Sequence, residues 1–190
     1  MARHVIAMMR ARRRSAGASV WAAALAAALL AAAGLSHEAS AQSARIVALG
    51  ASNTAGTGVG KAAAWPARLQ GLLKARGVNT TIINAGIHGD TTAGMLARLD
   101  RAVPPGTRVV ILQPGGNDAR RGQAGSTAGN IAQIQSRLAA RNVAVVIMGN
   151  GYLQALPSSE RQADRIHVTA DGHARLAAAI LPDVLAALGK

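Results

Sequence analysis

The stretch RIVALGASN, Arg45 to Asn53, decides how this sequence folds. Its apolar run, Ile46 to Leu49, leads directly into glycine, serine and asparagine, which are residues that favour turns. A continuous apolar run that stops at a turn is typical of a strand buried on both faces of a parallel sheet. We therefore predict a first strand over 45–49, with Ser52 just beyond its carboxyl end.

Further apolar runs alternate with stretches of helical character along the rest of the chain. The predicted strands cover 80–84, 108–113 and 143–148, and the predicted helices cover 62–76, 92–103, 127–141 and 170–188. The last helix is expected to be interrupted near Pro182, and 149–163 is expected to be a polar loop. Alternating strands and helices predict an α/β fold, a three-layer α/β/α sandwich around a flavodoxin-like parallel sheet.

Four short segments carry residue types that ester hydrolysis needs, and three of them follow predicted strands. These segments are GASN at 50–53, NAGIHGDT at 84–91, GGND at 115–118 and DRIH at 164–167. Ligands of open parallel sheets bind beyond the carboxyl ends of the strands. The sequence therefore predicts that the three segments that follow strands meet at one edge of the sheet.

A nucleophile, a base and a carboxylate can be assigned within these segments. Ser52 is the candidate nucleophile, because a serine hydroxyl attacks only when a base removes its proton. His167 is the candidate base, and Asp164 can orient its ring and stabilise the imidazolium. Taken alone, Ser52 could be a turn residue and Asp164 could pair with a nearby arginine. His173 is a rival base, which we expect to be exposed on the last helix.

Donors for a developing oxyanion can also be assigned. The backbone amides of Ser52 and Gly89 and the side-chain amide of Asn117 follow three different strands and could point at one oxygen. The alternative for the segment that contains Asn117 is an ordinary Gly-Gly-Asn loop. His88 and Tyr152 are candidate pocket residues.

Taken together, these residues resemble the SGNH (GDSL-type) hydrolases, nearest the periplasmic thioesterase I, arylesterase and lysophospholipase branch. The four letters fall on Ser52, Gly89, Asn117 and His167, with Asp164 completing a triad. The resemblance extends from Arg45 to the C-terminus. It implies an exported serine esterase or thioesterase that acts through a Ser-His-Asp triad and an acyl-enzyme intermediate.

The sequence departs from that family's pattern in three places. Ala51 stands where the family usually has aspartate, and Arg165 and Val168 stand where it usually has glycine and proline. The span from Asn117 to Asp164 is also too short for the family's extra helix and fifth strand. We therefore expect a sheet reduced to four strands and a more open pocket.

Residues 1–41 have the pattern of an export signal, which leaves 42–190 as a single hydrolase domain. Five arginines precede an apolar run over 20–35, and the small residues Ala39-Ser40-Ala41 follow as a cleavage site. The expected location is the bacterial periplasm or the exterior. Retention of the segment as an anchor stays open.

Composition limits the partners of the domain. After removal of the signal, 16 basic and 7 acidic residues remain, a net charge of +9 (16 − 7). Nucleic acid is not an expected partner, because Trp65 and Tyr152 are the only aromatic residues left for base stacking. The chain has no cysteine, and its histidines lack metal-ligand spacing, so no metal or cofactor is expected. The expected partner is a small acyl ester or thioester, with membrane contact only through the export signal.

Three alternatives stay open at this point. The same triad would suit a carbohydrate O-deacetylase, because the residues do not distinguish an acyl substrate from an acetylated sugar. The loss of aspartate at Ala51 and the missing strand would suit a non-catalytic periplasmic binding module. The net positive charge would suit a basic protein of the membrane surface.

Overall fold

The computed structural model describes residues 43–190, and the predicted export signal lies outside this range. The strands are β1 (Ala44–Gly50), β2 (Thr80–Gly86), β3 (Thr107–Gln113) and β4 (Ala144–Ile147). The α-helices are α1 (Ser52–Ala55), α2 (Trp65–Ala75), α3 (Thr92–Ala97), α4 (Leu99–Ala102), α5 (Asn117–Arg120), α6 (Thr127–Ala139), α7 (Asn150–Gln154) and α8 (Ala170–Leu188). None of these helices is long and apolar enough to cross a membrane.

The four strands form one parallel sheet in the order β2-β1-β3-β4. This order matches the first four strands of flavodoxin-like folds. The predicted α/β class and the predicted reduction to four strands are both confirmed within the described residues. From β1 the chain moves to β2 on one side and then to β3 on the other. The carboxyl end of β1 is therefore the point where the strand order reverses, which is where such sheets bind ligands.

The first strand contributes to both faces of the sheet, which explains its continuous apolar run. Ile46 and Ala48 pack in one core with α2 and α8, whereas Val47 and Leu49 pack in a second core with α3, α4 and α6. All four side chains are fully buried. Burial of a Val, Leu or Ile side chain contributes about 1.5 to 3 kcal/mol. The result is the predicted three-layer arrangement.

The structure starts one predicted helix later and divides another. The helix expected over 62–76 begins at Trp65, after Ala64 at the N-cap, and Pro66 occupies its first turn. The helix expected over 92–103 is divided into α3 and α4 at Arg98. The side chain of Arg98 reaches back to the carboxylate of Asp90, so this residue serves a tertiary contact that helical periodicity does not reveal.

The prediction of a polar loop over 149–163 is wrong. This segment contains α7 and a 3₁₀ turn, Ser158–Glu160. Leu156 is buried in the same core as α2 and α8, and Tyr152 and Leu153 pack against that core. Three apolar contacts therefore order a segment that is mostly polar in composition.

The last helix is not interrupted at Pro182, contrary to expectation. Helix α8 runs from Ala170 to Leu188 with the proline inside it. A proline in a helix interior removes one backbone hydrogen bond and costs about 3 kcal/mol. Ile180, Leu181 and Val184 are buried on either side of it, so packing onto the sheet outweighs the local cost.

Candidate active site

A tight turn at the end of β1 places Ser52 at the carboxyl edge of the sheet. Gly50 cannot be replaced without movement, because a Cβ atom there would lie 2.2 Å from Oγ1 of Thr54. The same Oγ1 donates to Oε1 of Gln113, the last residue of β3, at 2.8 Å. The turn is therefore fixed against the neighbouring strand, and Ser52 becomes the first residue of α1.

Ser52 lines a cleft of about 210 Å³ above the carboxyl ends of β1 and β3. Asn53 lines the same cleft, as do Gly115, Gly116 and Asn117 from the loop after β3. Leu153 and Ile166 add apolar surface. The structure thus brings Ser52 and Asn117 to one cavity from positions 65 residues apart in the chain.

Asp164 and His167 form a close pair in the loop before α8. Oδ2 of Asp164 lies 2.5 Å from Nδ1 of His167. Oδ1 accepts hydrogen bonds from the backbone amides of Ile166 and His167, both at 2.9 Å. The backbone and side-chain hydrogen bonds from His167, followed by the amide of Ile166, lower the pKa of Asp164 to about 2. The carboxylate is therefore ionised at neutral pH, and Nε2 is the ring nitrogen that His167 has left for other partners.

Asn53 connects the turn at Ser52 to the histidine loop. Its side-chain Nδ2 donates to the backbone carbonyl of Ile166 at 3.1 Å, and its Oδ1 accepts from the backbone amide of Val168 at 3.2 Å. His167 lies between these two residues. No hydrogen bond joins Ser52 directly to His167 within residues 43–190, and catalytic hydrogen bonds often shorten only when substrate binds.

The sequence assigned Asn53 no role beyond the turn. Its two partners lie 113 and 115 residues further along the chain. A turn-forming asparagine carries no local signal of such distant contacts, so this residue could not have been found from the sequence alone.

The loops after β2 and β3 meet at Asn117, which is buried. Its Nδ2 donates to the backbone carbonyl of Asp90 at 2.6 Å, and its Oδ1 accepts from Arg120 at 2.6 Å. One N–H of the amide stays available for another acceptor. Gly89 precedes Asp90 and has a φ of 74°, a left-handed conformation that favours glycine. Gly89 and Asn117 are thus held near each other by one hydrogen bond.

An ion pair between Arg98 and Asp90, largely shielded from solvent, stabilises the loop after β2. Nε of Arg98 donates to Oδ2 of Asp90 at 2.8 Å, and Nη2 of Arg98 donates to the backbone carbonyl of Gly50 at 3.2 Å. The two side chains are only 9% and 11% exposed. The guanidinium therefore ties the loop after β2 to the end of β1, a second contact that the sequence did not indicate.

His88 and Tyr152, the two candidate pocket residues, have different surroundings. The ring of His88 stacks on that of His167, with centroids 5.6 Å apart, and its Nδ1 lies 3.1 Å from Oγ1 of Thr57. Tyr152 does not line the cleft. Its hydroxyl donates to Asp183 at 2.5 Å, and burial together with that carboxylate raises the pKa of Tyr152 to about 12.

The expectation that His173 is exposed is wrong, because its side chain is fully buried between α2 and α8. Its Nδ1 accepts a hydrogen bond from the backbone amide of Trp65 at 3.2 Å. Burial, and to a lesser degree the charges of Arg68 and His167, lowers the pKa of His173 to about 4. His173 is thus a neutral part of the core, with no access to the cleft.

The chemistry open to this site is nucleophilic acyl transfer. The part of the chain from 43 to 190 contains no group of three His, Asp or Glu side chains that could hold a metal ion. It does contain a buried serine at a strand end, an Asp-His pair whose second ring nitrogen is available, and an amide donor beside the same cleft.

Comparison with known proteins decides the family. Residues 48–184 match the model of the GDSL-like Lipase/Acylhydrolase family. The chain belongs to this family. The resemblance identified from the four sequence segments is thereby confirmed.

Relatives within the GDSL-like family are esterases and thioesterases by name. The chain is 34% identical over 117 residues to esterase TesA of Pseudomonas aeruginosa. The aligned stretch covers 60% of this chain and 57% of the relative. It is 35% identical over 105 residues to thioesterase 1/protease 1/lysophospholipase L1 of Escherichia coli K12, covering 54% and 49%. The chain thus matches about half the length of these curated relatives.

Several solved structures share the fold. The crystal structure of TesA superposes with a TM-score of 0.68 at 25% identity, covering 77% of this chain and 99% of that one. AlinE4, an SGNH-hydrolase family esterase, superposes with a TM-score of 0.58 at 29% identity, covering 77% and 97%. A carbohydrate acetylesterase family member from Sinorhizobium meliloti has a TM-score of 0.56 but only 16% identity over 77% and 100%, which shows the fold alone.

Proposed function

We propose that the chain is a serine hydrolase that cleaves carboxylic esters or thioesters with Ser52, His167 and Asp164 as its triad. The observation that carries this proposal is the pair of hydrogen bonds from Asn53 to the residues on either side of His167. Through them, the Asp164–His167 pair is held beside the turn that carries Ser52. Membership of the GDSL-like family and the names of the relatives support the same reaction class.

In the first half of the reaction, Ser52 Oγ attacks the ester carbonyl while Nε2 of His167 takes its proton. The carboxylate of Asp164 fixes the ring through Nδ1 and stabilises the imidazolium that forms. The tetrahedral intermediate then collapses, and the bond from the carbonyl carbon to the alcohol oxygen or thiol sulfur breaks. His167 returns the proton to this leaving group, and the acyl group stays on Ser52.

The oxyanion of the intermediate would be held by three donors: the backbone amides of Ser52 and Gly89 and the remaining N–H of the Asn117 side chain. The contacts that Asn117 makes to Asp90 and Arg120 fix the orientation of its amide before substrate arrives. Donors that are already oriented need no rearrangement as charge develops. Loss of one such donor typically lowers the rate by about 100- to 1000-fold.

In the second half, water replaces the alcohol. His167 takes a proton from the water, whose oxygen attacks the acyl carbonyl. Collapse of the second intermediate breaks the bond to Ser52 Oγ, His167 returns the proton to Oγ, and the carboxylic acid leaves.

The size of the cleft favours short acyl chains. Its volume of about 210 Å³ lies below the range of about 300 to 1,000 Å³ that holds drug-sized ligands. We therefore propose that short-chain esters are better substrates than long-chain esters. The alternative that acetylated carbohydrate is the natural substrate uses the same steps and the same residues.

The decisive experiment measures covalent capture of Ser52. The protein without residues 1–41 is incubated with a fluorophosphonate, and its intact mass is compared with that of Ser52→Ala. We expect one adduct on the wild type and none on the variant, with 4-nitrophenyl acetate hydrolysed only by the wild type. Ser126→Ala is the matched control, because Ser126 lies outside the cleft and its Oγ donates to the carbonyl of Gln123.

A folded wild type that gains no adduct and hydrolyses no ester would mean that the site is idle. The non-catalytic binding module would then be the better interpretation. An adduct that persists in Ser52→Ala would mean that another nucleophile reacts, and Ser52 would lose its role.

We also propose that residues 1–41 direct export to the periplasm or beyond. The arginine-rich start, the apolar run and the small-residue site support this proposal. Expression of the full chain in a bacterium, followed by fractionation and N-terminal sequencing, tests it. A mature protein that starts at Gln42 in the periplasmic fraction is expected, whereas an uncleaved cytoplasmic protein would contradict it.

A further inference from the structure

We infer that the cleft beside Ser52 takes esters that carry an anionic group, such as a carboxylate or a sulfonate, on their acyl part or their alcohol part. This inference rests on the proposed hydrolase function and adds a chemical class to its substrate. It begins with the charge of the cleft wall. Arg120, Arg161 and Arg165 line the cleft, and no Asp or Glu side chain among residues 43–190 lines it with them.

The three guanidinium groups keep their charge uncompensated. Within residues 43–190, none of them lies in an ion pair with a carboxylate. Arg120 donates to the neutral amide oxygen of Asn117 at 2.6 Å, and Arg161 donates to the backbone carbonyl of Leu153. These contacts orient the side chains without cancelling their positive charge.

The carboxylates nearest in sequence are already engaged elsewhere. Glu160, next to Arg161, is bonded by Arg175 of α8 at 2.5 to 2.8 Å. Asp164, next to Arg165, is bonded to His167. Asp118, two residues before Arg120, is buried and accepts hydrogen bonds from Thr92. None of these three carboxylates lines the cleft, so the described residues provide no anion on its wall.

Arg165 occupies a backbone conformation that does not suit it. Its φ is 59°, in the left-handed region that favours glycine. A turn closed by the hydrogen bond from its amide to the carbonyl of Gln162, at 2.8 Å, holds it there. Backbone strain of this kind persists where the surrounding structure imposes it, and it is concentrated at functional sites. The strained position puts a guanidinium, where glycine would put nothing, on the wall of the cleft.

Three like charges around one concavity have a physical consequence. A cleft lined by one sign of charge concentrates ligands of the opposite sign and raises their association rate. The planar fork of arginine also forms paired hydrogen bonds with carboxylate, sulfonate and phosphate oxygens. The cleft therefore suits a small ester with a negative charge on its acyl part or on its alcohol part.

The test uses two matched pairs of esters, one for each placement of the charge. Mono-4-nitrophenyl adipate is compared with 4-nitrophenyl hexanoate for charge on the acyl side. 4-Sulfophenyl acetate is compared with 4-(methylsulfonyl)phenyl acetate for charge on the alcohol side. For each pair, the ratio of kcat/KM for the anionic ester to that for the neutral ester is measured, after subtraction of spontaneous hydrolysis.

The ratio is then measured for Arg165→Gln, Arg165→Lys and the control Arg108→Gln. Arg108 is exposed near the start of β3, at the opposite end of the sheet from the cleft. We expect Arg165→Gln to lower the ratio about tenfold in at least one pair, as loss of a hydrogen bond to a charged group would. Arg165→Lys should keep most of the ratio, Arg108→Gln should not change it, and 0.5 M salt should lower the wild-type ratio.

Two results would overturn the inference while leaving the proposed hydrolase intact. One is neutral-ester hydrolysis that depends on Ser52, with no decrease of the ratio in Arg165→Gln for either pair. The other is an equal decrease in Arg108→Gln, which would indicate net charge instead of the cleft. If the folded wild type hydrolyses none of the four esters, the proposed function fails, and this inference fails with it.

Discussion

Asn53 holds His167 from both sides without touching its ring, because its amide bonds to the carbonyl before the histidine and to the N–H after it. Asn53 is also the residue that follows Ser52. One side chain thus sets the position of the proposed base relative to the proposed nucleophile. We regard Asn53 as a positioning residue, since it acts on the reaction through His167.

We predict that Asn53→Ala lowers kcat by about 10- to 100-fold, because misplacement of a catalytic group by about 1 Å can cost 100-fold. KM should change less than kcat, and phosphonylation of Ser52 should slow in parallel with kcat. The measurement is steady-state hydrolysis of 4-nitrophenyl acetate together with the rate of adduct formation. A loss confined to KM, with phosphonylation unchanged, would contradict the positioning role.

Asn79→Ala is the control for this experiment. Asn79 is exposed immediately before β2, at the far end of the sheet. Both variants lose an asparagine side chain, but only Asn53→Ala loses contacts to the histidine loop. Thermal unfolding of the two variants separates a general loss of stability from an effect on the site.

The ionisation of Asp164 makes the stability of the folded protein depend on pH in the acid range. Its pKa is lowered to about 2 in the folded protein by hydrogen bonds from His167 and Ile166, against 3.8 for the free side chain. The unfolded state therefore binds more protons between these values, and the stabilisation that the carboxylate gives is present above pH 4 and lost as pH falls toward 2. We predict that the difference in free energy of unfolding between wild type and Asp164→Asn is constant above pH 5 and shrinks below pH 4.

Urea unfolding of both proteins between pH 6 and pH 2.5 measures this difference. The comparison with Asp164→Asn cancels the titration of the other carboxylates. A difference that does not change over the whole range would mean that the hydrogen bonds of Asp164 do not form in solution.

The titration of His173 makes the stability of the folded protein depend on pH between about 4 and 6.5. Its pKa is lowered to about 4 from 6.5, so the unfolded state binds the extra proton between these values and stability falls as pH decreases through them. From pH 7 to pH 4.5, the wild type should lose roughly 2 kcal/mol relative to His173→Asn. In the variant, the asparagine oxygen can accept the hydrogen bond from Trp65, but the side chain does not titrate.

Urea unfolding at several pH values measures the two slopes. Asparagine is smaller than histidine, so the variant is expected to be less stable at pH 7. The prediction concerns the slope, and parallel slopes for the two proteins would refute it. Ester hydrolysis by His173→Asn should keep the same pH profile, because the buried ring has no access to the cleft.

Replacement of Arg165 by glycine is expected to increase the stability of the protein. The left-handed conformation costs a residue other than glycine about 1 to 2 kcal/mol, while glycine loses about 0.5 to 1 kcal/mol more backbone entropy on folding. We predict that Arg165→Gly raises the free energy of unfolding by up to about 1.5 kcal/mol from these two terms. The same variant should lower the preference for anionic esters.

Denaturant titration of Arg165→Gly, with Asn142→Gly as reference, checks this result. Asn142 has a similar φ of 55°, but asparagine tolerates this region well, so the reference should gain less. If Arg165→Gly is less stable than wild type, the guanidinium has a structural role that its contacts do not reveal.

The parts of the fold that depend on local pattern were predictable. The apolar run over 46–49 identified β1, and glycine with serine immediately after it located the turn at Ser52. Three of the four segments could be assigned to one edge because parallel strands order their carboxyl ends together. These inferences need only a strand, a turn and the rule that connects them.

The parts that depend on tertiary contacts were not predictable. In the sequence, Asn53 looks like an ordinary turn residue and Arg98 like an ordinary helix residue. Both bond to backbone carbonyls of residues that are distant in the chain, and the sequence does not reveal such partners. His173 was expected to be exposed on the last helix, but at this position α8 faces α2, and the ring is part of the core. The hydrophobic pattern fixes the rotation of a helix about its axis only approximately. A shift of one residue in that pattern is enough to move a side chain from solvent into the core.

The edge of the sheet at β4 affects how readily the protein can pair with other molecules through its strands. Strand β4 is the last in the order, and it has no paired strand beyond it within the described residues. Unpaired backbone groups at such an edge can capture a strand of another molecule and start aggregation, but the hazard grows with the length and flatness of the edge. With only four residues, from Ala144 to Ile147, β4 presents very few of these groups. On this side, the sheet therefore ends in an edge too short to favour self-association by strand pairing.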